Sequence, residues 1–552
     1  MPASLPLISA GRLLQAACHS LVAGLVLAGG CRASSLPPAS PGPAALPDPP
    51  ALPAPPLVVD SPAPHGPLHW PVPPPAALQP ADPVLWVALA ARLGPGGSSD
   101  AAAAPPLRLQ SAGGALTLID AQGQRFMAPQ LLLHWRRRSL AAPLTIQRRV
   151  LGPFPSYESA KQVARGWRAQ GAAVVIAKPG DWEVWAPPAA PDPSGHSVRL
   201  VTSTETSQLV LELRRSQGTV ELAAPLRLEA PQGLQWQGGT YAGPFRLQAD
   251  AYGTWSLVEQ VPLERYLEGV VPHEIGAGAP PAALAAQAVL ARTWAVRNRH
   301  RFVVDGYHLC ADTQCQVYSD PRQAGAEVRQ AIVSSQGQVL AAAGRPIHAV
   351  YHASNGGVAA GFEEAWRGEA VPYLQAFTDG PAAFAARFPL PLAPARLPEL
   401  LRDGGQAWGA DHAAFRWRRR ITAFQLRAAL GEAAPVVALP TRLKVLERGA
   451  SGRVLALEIG GSGSGSGGGG SRVLRLDAIR RTLRQLPSTL FRVSPAGPGV
   501  WLVEGAGFGH GAGLSQAGAI DQARRGWSRD QILRHYYRGT ELVPLQALGD
   551  AL

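Results

Sequence analysis

The chain has 552 residues, enough for two to four domains with at least one sizeable core. Lysine and arginine outnumber aspartate and glutamate by 51 to 38, an excess of 13. That balance suits a generic basic exported protein, or one with an anionic partner such as a wall polymer, a membrane surface or nucleic acid. No internal repeat with a period of roughly 20 to 50 residues is evident, which excludes solenoids and propellers.

In chain order, Arg12, an apolar run from Leu21 to Leu27 and "LAGGC" ending at Cys31 read as an export signal over residues 1–31. The apolar run is too short for a membrane span. "LAGGC" approximates a lipobox, with Ala28 where leucine is usual, so both lipidation at Cys31 and plain cleavage stay open. Export places the remainder outside a bacterial cytoplasmic membrane, in the periplasm or envelope. It argues against nucleic acid and leaves only the signal or lipid anchor to touch the membrane.

Of the 54 prolines, 22 fall between Pro37 and Pro106, so residues 32–107 are expected to be a disordered linker. A small αβ module is expected over 108–190. Its later part reads strand ("LTIQRRVLGPF"), helix ("SYESAKQVARGWRAQG"), strand ("AAVVIAKP") and short strand ("WEVWAP"), with Ser156 as N-cap and Gly171 as terminator. This unit resembles the SPOR module of the cell envelope, which binds peptide-free peptidoglycan glycan. The plainer alternative is an ordinary αβ packing unit.

Residues 198–261 alternate in short runs and predict strands. A helix follows from Pro280, where proline is tolerated in a first turn. Its Leu284, Ala288, Ala291 and Ala295 form a narrow stripe suited to burial. "RPIHAVYHASNGG" predicts a strand running into a glycine turn, and 416–460 a short helix and further strands. "GSGSGSGGGGS", residues 461–471, predicts a flexible loop inside a hairpin. The tail reads Gly-rich turn, helix, turn, helix, strand. The expected class is α+β: a β-rich domain with a few packed helices over 200–545, preceded by the αβ module and the linker.

"LERYLEGVVPHEI", "AALAAQAVLARTWAV", "CQVY", "YHASNGG", "EEAW", "PYLQAFTD", "SGRVLALEIGG", "GFGHGAGLSQAGA" and "ILRHYYRGTEL" follow one another across residues 205–545. In order and spacing they resemble the SpoIID/LytB family, that of the stage II sporulation protein D and the amidase enhancer. A variable insertion lies near 380–415. The resemblance implies a lytic transglycosylase that cuts peptidoglycan between N-acetylmuramic acid and N-acetylglucosamine in peptide-poor strands. Its catalytic acid is the glutamate of "VPxE", here Glu274. The amidase-enhancer branch implies instead a noncatalytic wall-binding protein that stimulates a partner N-acetylmuramoyl-L-alanine amidase.

One carboxyl group suffices for such a lyase. Hydrolysing glycosidases use two carboxylates. A lytic transglycosylase draws its nucleophile from the substrate's own C6 hydroxyl, so one group can donate a proton and then receive one. That group must stay protonated near neutral pH, which requires an apolar pocket or a neighbouring negative charge. "GVVP" and Ile275 are candidate walls, and Glu363 and Glu364 candidate second charges. Taken without the family, a lone glutamate before a helix is more often a solvated first-turn charge.

Tyr351, His352, Ser354 and Asn355 are expected to bind substrate or support it through hydrogen bonds, with a satisfied core histidine as the bland alternative for His352. A serine-nucleophile reading of His352 and Ser354 lacks an acid and an elbow. His510 and Gln516 are presented by a glycine-rich turn beside the cleft that the resemblance implies. That turn lacks the spacing and lysine of a nucleotide loop. Cys310 and Cys315 suggest a local disulfide, the preferred reading. Zinc is the lesser possibility: His308 is a candidate third ligand, but no fourth is visible, and Gln314 stands where zinc-carrying relatives have histidine. No other cofactor is expected.

Overall fold

A computed structural model describes residues 67–96, 100–431, 439–461 and 470–551. The signal segment and Cys31 lie outside them, as do the linker up to residue 66 and the centre of the Gly/Ser loop.

Two twisted sheets build the first half. The seven-stranded sheet runs, in spatial order, Leu309–Cys310, Val84–Leu93, Trp255–Pro262, Phe245–Ala249, Leu226–Glu229, Leu116–Ile119 and Arg125–Ala128. All its neighbours are antiparallel except Val84–Leu93 with Leu309–Cys310. The second sheet is organised on one long strand, Gln130–Phe154, which pairs with Leu107–Ser111, Arg199–Arg215 and Trp182–Ala186. Leu107 and Leu109 from one strand, Leu131, Leu133 and Trp135 from another, and Leu85 and Val87 from the first sheet all enter a single core. These strands alternate buried and exposed positions because successive side chains point to opposite faces.

Residues 84–93 correct the linker boundary. The expectation from proline content placed them in disordered chain, yet Leu85 and Val87 are fully buried and the strand is paired on both sides in its sheet. The prolines flank the segment, with Pro83 before it and Pro95 after it, and the apolar run between them decides its fate. The αβ module also does not stand apart. Its helix Tyr157–Ala169 and strands Val175–Ala177 and Trp182–Ala186 form as expected, with Ser156 capping the helix. Its earlier strands, however, pair with Leu226–Glu229 and Leu234–Trp236 of the following region.

The helices that carry the candidate site come next. Leu263–Val271 buries Leu263, Tyr266, Leu267, Val270 and Val271, an i, i+3, i+4 pattern. Pro281–Asn298 is buried on nearly every side, including Leu284, Ala288, Ala291 and Ala295. It is Ala-rich because neighbours approach it from all directions. Arg292, fully buried, ties the two helices together: its Nε and Nη2 donate to the Glu264 carboxylate at 2.8 and 2.6 Å, and Nη1 donates to the Gln338 carbonyl at 3.0 Å.

In the second half, Arg416–Thr422, Val500–Ala506 and Phe491–Pro495 form one small sheet, and Pro440–Arg448, Val454–Gly461 and Ser471–Arg475 another. The strands on either side of the Gly/Ser loop pair directly, Gly460 opposite Ser471, so the loop sits inside a hairpin. Gln516–Arg524 and Arg529–Tyr536 are the tail helices, and Glu541–Pro544 returns to pair with Gln338–Ala342. The strand expected through "RPIHAVYHAS" is broken into Arg345–Pro346 and Tyr351–His352. No helix among the described residues is long and apolar enough to cross a membrane.

Candidate active site

Glu274 lies in a single π-helical turn, Pro272–Gly276, between the two buried helices. Pro272 has no amide hydrogen, so the α-helical ladder of Leu263–Val271 cannot continue through it and the turn widens. Gly276, at φ +88°, reverses the chain in a conformation that a side chain resists. Pro280 and Pro281 then open the next helix with their fixed φ.

The turn drives the carboxyl group inward. Val270, Val271 and Ile275 around it are buried. Burial pushes the Glu274 pKa up to about 6, and three hydrogen bonds to the carboxylate, from the Val317 amide, Tyr351 and Gln516, restrain the rise. The Val317 amide donates to Oε1 at 3.1 Å. Behind these donors stands a second layer. Gln316 Nε2 donates to the Tyr351 hydroxyl at 2.8 Å, and the Tyr266 hydroxyl donates to Gln316 Oε1 at 3.1 Å. Gln516 Nε2 donates to Gln287 Oε1 at 3.4 Å. Tyr266 and Tyr351 are held well above the usual phenol range, by burial first and then by the nearby Glu274 charge.

The expected second carboxylate takes no part in this. Burial raises Glu274, whereas Glu364 is itself buried and accepts hydrogen bonds from the Ser451 amide and hydroxyl, and Glu363 is exposed.

Tyr351 and Gln516 therefore meet at Glu274. His352, Ser354 and Asn355 do not; they lock two loops together. Tyr351–His352 runs parallel to Leu514–Ser515, and Ser354 exchanges backbone hydrogen bonds with Phe508. His352 Nδ1 donates to the Ala512 carbonyl at 3.1 Å. Asn355 donates to Asp379 at 2.6 Å and accepts from the Gly357 amide at 2.9 Å. All three side chains are buried, 5% exposed or less, and face the protein's own groups rather than an open wall. The glycine turn must come this close: a Cβ on Gly513 would lie 2.0 Å from the Val350 carbonyl oxygen.

His510 lines an open cleft and is tied to the Tyr351 backbone. Its Nε2 donates to the Tyr351 carbonyl at 2.9 Å while Nδ1 accepts from the Ala512 amide at 3.2 Å, which fixes the tautomer. Burial, then the Arg480 charge, lowers its pKa to about 3, so it stays neutral. The cleft, of about 480 Å³, is lined by Gln314, Trp366, Arg480, Arg484, Phe508 and His510 among others. Glu274 does not line it. Its lining meets the surroundings of Glu274 at His510, which bonds to the Tyr351 carbonyl, and at Gln314, three residues before Val317.

Cys310 and Cys315 form a disulfide, and the Cys310 amide donates to Cys315 Sγ at 3.0 Å. His308 lies apart from any ligand role. Its Nδ1 accepts from the Trp86 amide and its Nε2 donates to the Ala76 carbonyl, both at 3.0 Å. Among the described residues no group of three His, Cys, Asp or Glu side chains converges as metal ligands do.

Several members of the site escaped the sequence reading. Val317 acts through its backbone, which no side-chain pattern reports. Gln316 and Val317 sit in the quoted "CQVY" without an assigned role. Gln287 offered a signal: it is a buried polar residue amid the alanines of a helix buried on nearly every side.

A half-buried carboxyl group with a raised pKa, backed by tyrosine and glutamine donors, is suited to acid–base chemistry. The family model described as "Stage II sporulation protein" matches residues 251–341, which contain the π turn and both helices, and a domain of unknown function matches 360–513. Stage II sporulation protein D of Bacillus subtilis (strain 168) is 28% identical over 305 residues, covering 52% of this chain and 77% of that one. Its Bacillus amyloliquefaciens counterpart is 29% identical over 306 residues, covering 52% and 75%. The amidase enhancer of Bacillus subtilis (strain 168) is 26% identical over 290 residues, which is 50% of this chain but 40% of the enhancer. Across about half its length the chain is thus similar to the SpoIID/LytB family, and residues 251–341 match its sporulation-protein model.

Proposed function

We propose that this protein is an envelope-located peptidoglycan lytic transglycosylase with Glu274 as its acid and base. The observation that carries the reading is the placement of this one carboxyl group, enclosed between two helices with its pKa raised to about 6 by burial. In the protonated form Glu274 donates its hydrogen to the glycosidic oxygen as the bond from muramic acid C1 breaks. The resulting carboxylate then takes the hydrogen of the C6 hydroxyl as O6 bonds to C1. The products are a free N-acetylglucosamine 4-hydroxyl and a 1,6-anhydro-muramic end, and Glu274 finishes protonated as it began. Tyr351, Gln516 and the Val317 amide hold the carboxylate between the two transfers. Export through residues 1–31, with or without lipid at Cys31, delivers the protein to the wall, and the αβ unit around Tyr157–Ala169 gives it a second wall contact.

A second reading, a noncatalytic binder that stimulates an amidase, is favoured by one observation. The Glu274 carboxyl is already engaged by its own chain, with the Val317 amide donating to it at 3.1 Å, and does not line the cleft. Mass spectrometry of glycan products from denuded and intact sacculi separates the two. The lyase yields anhydro-muramic ends, and Glu274→Gln yields none. Anhydro ends from the variant at the wild-type rate remove Glu274 from the mechanism. A protein that yields none by itself but accelerates a purified amidase is the enhancer.

A further inference from the structure

A separate cavity, of about 540 Å³, is lined by helix Tyr157–Ala169, the end of helix Pro281–Asn298 and the segment 367–373. Each of these three elements brings cations to it. Lys161 and Arg165 lie one turn apart on the first helix and so share a face, Arg297 comes from the second, and Arg367 from the segment. Among the described residues none of the four forms an ion pair. Of the two acids in the same lining, Glu158 is engaged by Arg301 and Glu369 meets no cation. Arginines elsewhere on this basic chain show the ordinary alternative, as Arg387 does with Glu399, Arg418 with Glu504 and Arg442 with Glu458. Arg297 Nη1 donates to the Pro346 carbonyl, but its Nε is buried with no partner. The cations are close enough to repel one another. Burial first, then the Arg297, Arg165 and Arg301 charges, lowers the Lys161 pKa to about 8, and burial followed by Arg297 lowers that of His348, in the same lining, to about 2.

Such crowding is unfavourable until an anion relieves it. A carboxylate presents two oxygens in one plane and is satisfied by a single guanidinium fork. A phosphomonoester presents three oxygens in a tetrahedral array with up to two negative charges, which suits cations approaching from three elements at once. Val371 and Tyr373 give the cavity an apolar side as well, and the Tyr373 hydroxyl is positioned by the His348 amide, which donates to it at 3.0 Å. We propose that this cavity binds a phosphomonoester group, its oxygens held by Lys161, Arg165, Arg297 and Arg367 and its organic part lying against Val371 and Tyr373. The site is independent of the chemistry at Glu274, and Glu274→Gln should leave it unchanged. A small soluble phosphate ester and the headgroup of a lipid such as phosphatidic acid share this chemistry.

The test uses the full chain and two probes: glycerol 1-phosphate in isothermal titration, and phosphatidylcholine vesicles with or without phosphatidic acid in co-sedimentation. Saturable binding of the soluble ester supports the site with a soluble ligand. Sedimentation that requires phosphatidic acid, without binding of the soluble ester, supports it with a membrane headgroup. Lys161→Gln combined with Arg165→Gln should weaken the observed binding about tenfold or more, the worth of lost charge-assisted hydrogen bonds. Arg367→Gln, at an exposed position, should weaken it in the same direction. Should the double variant fail to fold, Arg367→Gln carries the test, and unchanged binding there overturns the site. Binding of neither probe overturns it as well. So does equal affinity for glycerate, the carboxylate counterpart of the soluble ester. Equal weakening by Arg534→Gln, an exposed arginine outside this cavity, also overturns it, because the effect is then that of the chain's overall charge.

Discussion

Burial pushes several acids of this protein upward, Glu259, Glu274, Asp305 and Asp477 among them, and the surroundings of Glu274 and Asp305 differ. Glu274 reaches about 6 and has three donors on its carboxylate. Asp305, at the end of the short turn Val303–Asp305, reaches about 8, with burial the larger cause and the Asp250 charge the second; Arg92 and Tyr252 restrain it. One Asp305 oxygen has no partner, whereas Asp250 is satisfied by Thr254 and the Tyr252 amide. The larger displacement belongs to the group with fewer donors. A shifted pKa alone therefore does not mark the chemical centre. Compared with Asp305, Glu274 has more donors to steady its charged form, a feature it shares with Asp477, and an acid proposed to alternate between two states needs both to be accessible.

Substitution of both acids is the widest way to break this contrast. Glu274→Gln should lower anhydro-muropeptide production by about 10³-fold, within the range of a lost general acid. Asp305→Asn should leave turnover at its wild-type level, and a comparable loss there would erase the distinction. Next in size is the bolt between the helices. Arg292→Ala leaves the Glu264 carboxylate without its bidentate partner and should cost about 3 to 5 kcal/mol of unfolding free energy in urea titrations.

Acidity gives a finer handle. The Glu274 pKa rises from the 4.5 of an exposed glutamate to about 6 in the folded chain, so the folded state holds this proton more tightly. Its contribution is fully present below pH 4.5 and is lost as pH rises through 6, a difference of about 2 kcal/mol. Glu274→Gln should remove that loss, making the inactive variant more stable than wild type at pH 7.5 and equal to it at pH 4. Turnover should fall as pH rises above 6. Of similar or smaller effect, Cys310→Ser with Cys315→Ser should cost about 2 kcal/mol for so short a loop. Because Val317 follows that loop, the same variant should also flatten the pH dependence of turnover.

How much of this could be read from letters varied with the kind of force involved. The helix from Pro281, the tail helices and the strands of 198–261 announce themselves through periodicity and caps. Glu274 stood out through motif order, and Tyr351 and Gln516 with it. The Val84–Leu93 strand was masked by prolines on either side, because composition averages over a window while burial acts on the few residues between. His352, Ser354 and Asn355 have the chemistry of ligand groups, and only three-dimensional pairing with residues 508–515 turns them inward. The cationic cleft combines residues from 314, 366, 480–484 and 508–510, a gathering that no local pattern contains.

The Arg292–Glu264 clamp has a consequence for the length of the chain it spans. With both helices fastened, the stretch from Pro272 to Pro280 is a bridge with fixed abutments. Letters within it can be exchanged, but one added residue has to be absorbed inside the bridge, displacing the π turn that aims Glu274 at the Val317 amide. Single insertions and deletions should therefore be tolerated in the Gly/Ser hairpin loop and forbidden between the two helices.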